Sequence, residues 1–312
     1  MPTPRQTLPS TPARPGLRTL TALALLGLSA TATAAQVPVA ASTSIIADFV
    51  RAVGGTRVSL VTLVPANADT HTYQPTTGDV KRLSLSRTLF INGANLEPWL
   101  PKLIGSAPGV RVVTLSRSVK LRQASELAAE GLQAEGSFDP HTWWNPQNVS
   151  AYVKTITAEL TRLDPAGRAT YASNAAAYQK QLTALDTYAR TQFGTLPAAS
   201  RTLVTNHDAL GYLAQRYGFT VVGQVIGGLS TEREPSAQDL VRLVKAVRAS
   251  HTRAIFTENT VNARLAQALS SETGVKIAPP LYTDALGAPG SDGATYLQAF
   301  RHNVQVIVSA LK

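Results

Sequence analysis

Histidine is scarce in this chain, with five in 312 residues. Yet three of the five stand in short motifs that close stretches patterned as strands: Asp69-Thr70-His71-Thr72-Tyr73, Asp139-Pro140-His141-Thr142-Trp143 and Thr205-Asn206-His207-Asp208. A fourth candidate, Asp284, follows a β-patterned run in Tyr282-Thr283-Asp284. Three imidazoles and one carboxylate make a closed nitrogen and oxygen set suited to Zn²⁺ at bonds of about 2.0 to 2.2 Å. One carboxylate leaves such a site at about +1, and the affinity order of nitrogen-donor sites ranks Zn²⁺ above Mn²⁺. The chain has no cysteine, so thiolate ligation, disulfides and a cysteine-linked lipid anchor are all excluded by the sequence reading.

Each residue also has a plainer reading. A lone His at a strand end is commonly a turn or cap residue, and an Asp such as Asp284 commonly caps the segment after it. Trp143 and Trp144 read as core or lobe-interface packing. His251 and His302, at the end of or within helical patterns beside polar residues, read as solvated.

The elements that must position these groups begin after a leader. Arg5, Arg14 and Arg18, the apolar run Leu20 to Leu28 and the small residues Ala30 to Ala35 have the three parts of a secretory signal, so 1–35 is expected to be removed. The apolar run is shorter than the roughly 20 residues that span a bilayer. The mature protein is then expected in a periplasmic or other extracytoplasmic space. The formal charge of +10 becomes +7 from position 36 onward, with 26 basic against 19 acidic residues. These charges are scattered rather than clustered, which argues against nucleic-acid binding.

Residues 36–146 alternate strand and helix patterns: Val37 to Ala41, Ile45 to Val53, Val58 to Val64, Thr77 to Ser86, Thr88 to Ile91 and Val110 to Leu115. Residues 121–137 read as a surface loop. From 147 to 196 the pattern is almost all helix, broken at Asp164-Pro165, with a second helix running towards Phe193. Alternation resumes over 197–312. The expected fold is α/β, two lobes each with a parallel sheet flanked by helices, joined by a long rigid α-helix. In such sheets ligands bind beyond the carboxyl ends of the strands, where two candidates from each lobe can face a common cleft. A rigid connector predicts local loop movement around His71 or His207 rather than a wide hinge.

The stretches Asp69 to Pro75, Asp139 to Pro146, Val204 to Gly218 and Glu234-Pro235-Ser236, with Asp164-Pro165, Tyr171 and Asn174 in the connector, resemble the zinc and manganese substrate-binding proteins of bacterial ABC transporters, cluster A-I, which include the zinc-uptake binding proteins. The resemblance covers almost all of the mature chain, and four ligand motifs recur in order. It implies that His71, His141, His207 and Asp284 bind the metal and that the protein delivers it to a membrane permease. Two departures stand out. Gln74 occupies a place where the family commonly has Glu, and 121–137 contains no histidine where many zinc-uptake members carry a His-rich insert. His207, where other members have Glu, is similar to the zinc-preferring branch.

The expected function is therefore an extracytoplasmic, monomeric carrier of zinc, with manganese or iron as the alternative ion, and not an enzyme. An exported zinc hydrolase is the competing class. It would keep an open water position beside a general base, for which Glu258 in Thr257-Glu258-Asn259 is the candidate, although Glu258 reads better as support behind a ligand or as a helix cap. No His-Glu-x-x-His helix is present. An adhesin would need an anchor or repeats, and the sequence shows neither.

Overall fold

A computed structural model describes residues 1–7, 10, 35–123, 138–232 and 235–312. Most of the expected leader, the histidine-free loop from 124 to 137, and Glu234 lie outside the described residues. Residues 35–312 form one compact unit. Among the described residues no helix is long and apolar enough to cross a membrane.

The first sheet contains β1 (Val37–Thr43), β2 (Val58–Val64), β3 (Thr88–Ile91) and β4 (Arg111–Thr114), in the order β2-β1-β3-β4 with every pairing parallel. Its helices are α1 (Ser44–Gly54), α2 (Thr77–Ser84) and α3 (Leu100–Gly105). Then come the paired helices α4 (Pro146–Leu163) and α5 (Arg168–Gly194). The second sheet repeats the first arrangement, order β6-β5-β7-β8, from β5 (Thr202–Thr205), β6 (Thr220–Gln224), β7 (Ala254–Glu258) and β8 (Lys276–Leu281). Its helices are α6 (Gly211–Tyr217), α7 (Ala237–Ser250), α8 (Arg264–Thr273) and the closing α9 (Tyr296–Leu311). Two α/β lobes with parallel sheets are thus present as expected.

Boundaries shift where capping decides them. Asp164 accepts the Gly167 N–H at 3.2 Å, so Pro165 opens a 3₁₀ turn and α5 begins only at Arg168. In α7 the Ser236 hydroxyl and the Asp239 carboxylate bond each other's backbone N–H, a capping box that starts the helix at Ala237.

One apolar core runs through both lobes, from Val39 and Phe49 past Tyr152 and Leu182 to Leu203, Phe256 and Phe300. Each sheet has a smaller apolar layer on its other face, around Leu63 and Leu89 in the first lobe and Val204 and Ile255 in the second. Helix α5 is fastened at both ends. Near its start, Asp164 binds Arg57 Nη2 at 2.7 Å and the Tyr171 hydroxyl at 2.8 Å, and Asn174 Nδ2 donates to the Val53 carbonyl at 3.0 Å. Near its end, Asp186 takes two bonds of 2.6 Å from Arg216 and one of 2.8 Å from the Tyr217 hydroxyl. Its 27 residues cover roughly 40 Å.

Burial alone would raise the Asp186 pKa, but Arg216 and Tyr217 hold it below its ordinary value. A carboxyl depressed in the folded state adds stability above about pH 3.9, and that stability is lost as pH falls through the folded value. Asp186→Ala strands the Arg216 guanidinium, whose side chain is only 8% exposed, and is expected to cost about 2 kcal/mol at neutral pH. Denaturant unfolding of both proteins near neutrality and near pH 3 should show this difference shrinking in acid. A second expectation follows from the pinned connector. Solution scattering with and without a bound ion should give nearly the same overall dimensions, and a large change would contradict it.

Candidate metal centre

Parallel strands place their carboxyl ends together, and three of the four candidate residues, His71, His207 and Asp284, follow those ends. His71 lies in the loop after β2, where Asp69 Oδ1 accepts its backbone N–H at 2.9 Å and Trp99 Nε1 donates to the Thr70 carbonyl at 2.8 Å. His207 follows β5 after one residue, Asn206, and its backbone N–H donates to Glu258 Oε1, at the end of β7, at 2.9 Å. Asp284 comes three residues after β8, with the adjoining Thr283 carbonyl held by Trp143 Nε1 at 3.0 Å. His141 precedes α4 in a network from the first sheet. Glu97 accepts from Ser42 Oγ and from the N–H groups of Asn92 and Gly93, Tyr152 donates to Asn92 Oδ1 at 2.8 Å, and Asn92 Nδ2 bonds the Pro140 carbonyl at 2.9 Å.

All four side chains are buried, and one ligand atom from each lies within 4.8 Å of the others. His207 Nε2 is 3.0 Å from Asp284 Oδ2 and 3.3 Å from His141 Nε2. His71 Nε2 is 3.3 Å from Asp284 Oδ2, and His141 Nε2 is 3.5 Å from Oδ1. Two ligands on one tetrahedral ion at about 2.0 to 2.1 Å stand about 3.3 Å apart, which is the spacing these pairs have.

Hydrogen bonding behind the rings fixes which nitrogen faces inward. His141 Nδ1 is 2.9 Å from Asp139 Oδ1, and His207 Nδ1 is 2.8 Å from Glu258 Oε2. A carboxylate accepts only, so each Nδ1 carries the proton and each Nε2 presents a lone pair to the centre. His71 Nε2 and both oxygens of Asp284 are buried without a hydrogen-bond partner. Converging lone pairs in a dry space require a cation. In the metal-free protein a proton serves: burial would lower the His207 pKa, but the charges of Glu258 and Asp284 raise it well above 6.5. Burial would likewise raise Asp284, yet His207 and His141 hold it well below the carboxylate range.

The structure therefore brings together all four residues singled out in the sequence. His251 ends α7 in a left-handed conformation, and His302 packs its ring 5.0 Å from Tyr282 with Nε2 3.1 Å from the Pro280 carbonyl, so it is less solvated than its sequence surroundings imply. Trp144 packs against Phe300 of α9, whereas the Trp143 ring lies 5.4 Å from that of His141. Glu258 is placed behind His207, on the ring edge away from Nε2, with its second oxygen accepting from Thr283 Oγ1 at 2.8 Å. A carboxylate there orients the His207 ring and does not face the point on which the donor atoms converge.

Sequence reasoning missed the support for His141. Asp139 Oδ2 pairs with Arg122 Nη1 at 3.0 Å, and Tyr212 donates to the Asp139 carbonyl at 3.0 Å. A Cβ on Gly211 would sit 1.5 Å from that Arg122 nitrogen, so only glycine lets the guanidinium pass. Burial, with the Asp139 charge nearby, pushes the Asp208 carboxyl up to about 7. The one available signal was the repeat of an acid two residues before a histidine in Asp69-Thr70-His71 and Asp139-Pro140-His141.

The chain is similar to known metal-binding proteins. The family model described as zinc-uptake complex component A, periplasmic, matches residues 39–310. The manganese-binding lipoprotein MntA of Halalkalibacterium halodurans is 34% identical over 270 residues, 86% of this chain and 87% of that protein. The manganese ABC transporter substrate-binding lipoprotein PsaA of Streptococcus pneumoniae is 29% identical over 91% of this chain and 92% of its own length. Among solved structures, the periplasmic zinc-binding protein TroA of Treponema pallidum superposes with a TM-score of 0.82 at 33% identity, covering 88% of this chain and 99% of that one. A manganese-bound periplasmic metal-binding protein of Candidatus Liberibacter asiaticus gives 0.77 at 26% identity, covering 89% of this chain and 100% of its own. The lipoprotein naming of the first two runs against the expectation of a carrier with no cysteine-linked lipid, although this sequence contains no cysteine.

The raised His207 pKa fixes the sign of two pH effects. An ion must displace the His207 proton, so affinity should rise with pH through that raised value and fall about tenfold per unit below it. Without metal, the same group adds stability that is full below about pH 6.5 and lost as pH rises through the folded value. Chelator competition from about pH 5.5 to about pH 9 tests the first effect. A constant affinity over that range would remove imidazole from the ligand set.

Proposed function

This chain belongs to the family of periplasmic zinc-uptake complex component A proteins, and from that premise we propose that it is an extracytoplasmic carrier that closes His71, His141, His207 and Asp284 around one divalent metal ion and delivers it to the membrane permease of an ABC transporter. The observation that carries this reading is the convergence, from both lobes, of four buried donor atoms, with His71 Nε2 and both Asp284 oxygens lacking a protein partner. Four protein ligands enclose an ion and leave no position for an activated water, which suits holding rather than hydrolysis. The ion is cargo, taken up and given away as a monomeric protein meets its permease.

Zinc is the ion we favour. Three imidazole nitrogens and one carboxylate match its chemistry better than the oxygen-rich, higher coordination of harder cations. Manganese is the second reading, supported by the names of MntA and PsaA, both manganese proteins by description. Here the two buried carboxylates behind His141 and His207 raise ligand basicity for either ion.

Protein purified without chelator should contain one ion per chain by elemental analysis. Competitive titration of the stripped protein should rank zinc above manganese, and the reverse order would favour the second reading. His141→Ala removes one of four ligands and should weaken binding by at least about 100-fold, since loss of mere outer support costs 10- to 100-fold. A wild-type protein with no affinity for either ion would end the proposal.

A further inference from the structure

The four ligands are alike in chemistry and unlike in support. His141 and His207 each have a carboxylate on Nδ1 and are fully buried. Asp284 sits in a segment bolted to the first lobe: Leu286 N–H donates to Ser44 Oγ at 3.0 Å, and its carbonyl accepts from Asn67 N–H at 2.9 Å. His71 differs. Its backbone is held by Asp69, but among the described residues its Nδ1 has no hydrogen-bond partner. With no carboxylate on Nδ1 to fix its orientation, this ring is the freest of the three to turn.

His71 also borders open space. It lines a cavity of about 500 Å³, walled by Tyr73 and Gln74 on its own loop, by Trp99 and Lys102 across from them, and by Glu232 from the second lobe. None of the other three ligands borders this cavity. A side-chain bond ties the two lobes beside it, between neighbours of the lining residues His71 and Glu232. Asp69 takes the His71 N–H on Oδ1 and, on Oδ2, the hydroxyl of Thr231 from the second lobe at 2.5 Å. One half-buried carboxylate therefore fixes the turn that carries His71 and ties that turn across the cleft.

Building on the carrier reading, we propose that the ion enters and leaves past His71 through this cavity, and that the Asp69–Thr231 hydrogen bond is the latch whose opening sets the rate of release. Glu232, at the rim, supplies the first carboxylate that an arriving cation meets. Thr231 is a positioning residue here, because it touches no ion and acts through Asp69 on His71.

The test is kinetic. Zinc-loaded protein is mixed with excess chelator in a stopped-flow instrument and ion transfer is followed. Thr231→Val keeps the branched shape and removes the donor, so release should become about tenfold faster. The content of one ion per chain and the unfolding temperature of the metal-free protein should both stay as in the wild type. Ser106→Trp, which narrows the cavity from its lining, should slow loading and release together. Release from Thr231→Val within twofold of wild type overturns the latch, and unaltered kinetics in Ser106→Trp overturn the route. A wild-type protein that holds no zinc or manganese instead sinks the carrier reading on which both rest.

Discussion

Electron-rich atoms brought together in a space without water repel one another, and the rest of this molecule is arranged so that they stay together. Three imidazole nitrogens and two carboxylate oxygens face one point, with separations from 3.0 to 3.5 Å among the pairs in closest contact. No single element could hold them, since each lobe contributes two residues, three of the four from loops that follow strands and His141 from the turn before α4. The cost of this arrangement is what makes a cation bind strongly, and a flexible frame would relieve it by letting the groups drift apart. Rigidity is therefore a condition of affinity.

That rigidity has identifiable sources. The lobes share one apolar core, and a hinge that parted them would expose it to water. The long helix is clamped to the first lobe through Asp164 and Asn174 and to the second through Asp186. Asp48 of α1 accepts the Tyr296 N–H at the start of α9 at 3.0 Å, another bond from lobe to lobe. Motion is left to the loops, and of the three imidazoles at the centre only that of His71 has no hydrogen-bond partner on Nδ1 among the described residues.

Much of this could be read in the residues. The alternation of strand and helix gave both lobes, β3 covers Thr88–Ile91 as its pattern predicts, and histidine scarcity pointed to the centre. What stayed hidden were partners distant along the chain. Glu258 is 51 positions from His207, and a Glu at a strand end looks the same whether it caps a helix or orients an imidazole. Arg122 and Gly211 say nothing alone, because the requirement for glycine arises only when the guanidinium is in place beside it. The choice of ion is hidden for a related reason: it depends on small adjustments of angle that spacing along a chain does not encode.

A centre assembled from residues as far apart in sequence as His71 and Asp284 imposes an order in time. A chain that is half made or unfolded possesses the same four side chains but not their convergence. It binds an ion no better than any peptide with scattered histidines. Capture is thus deferred until the last sheet and the α9 helix have docked, and a chain that moves through a membrane unfolded arrives empty. The architecture makes loading the final act of maturation, so that whatever ion is held was collected where the finished protein resides.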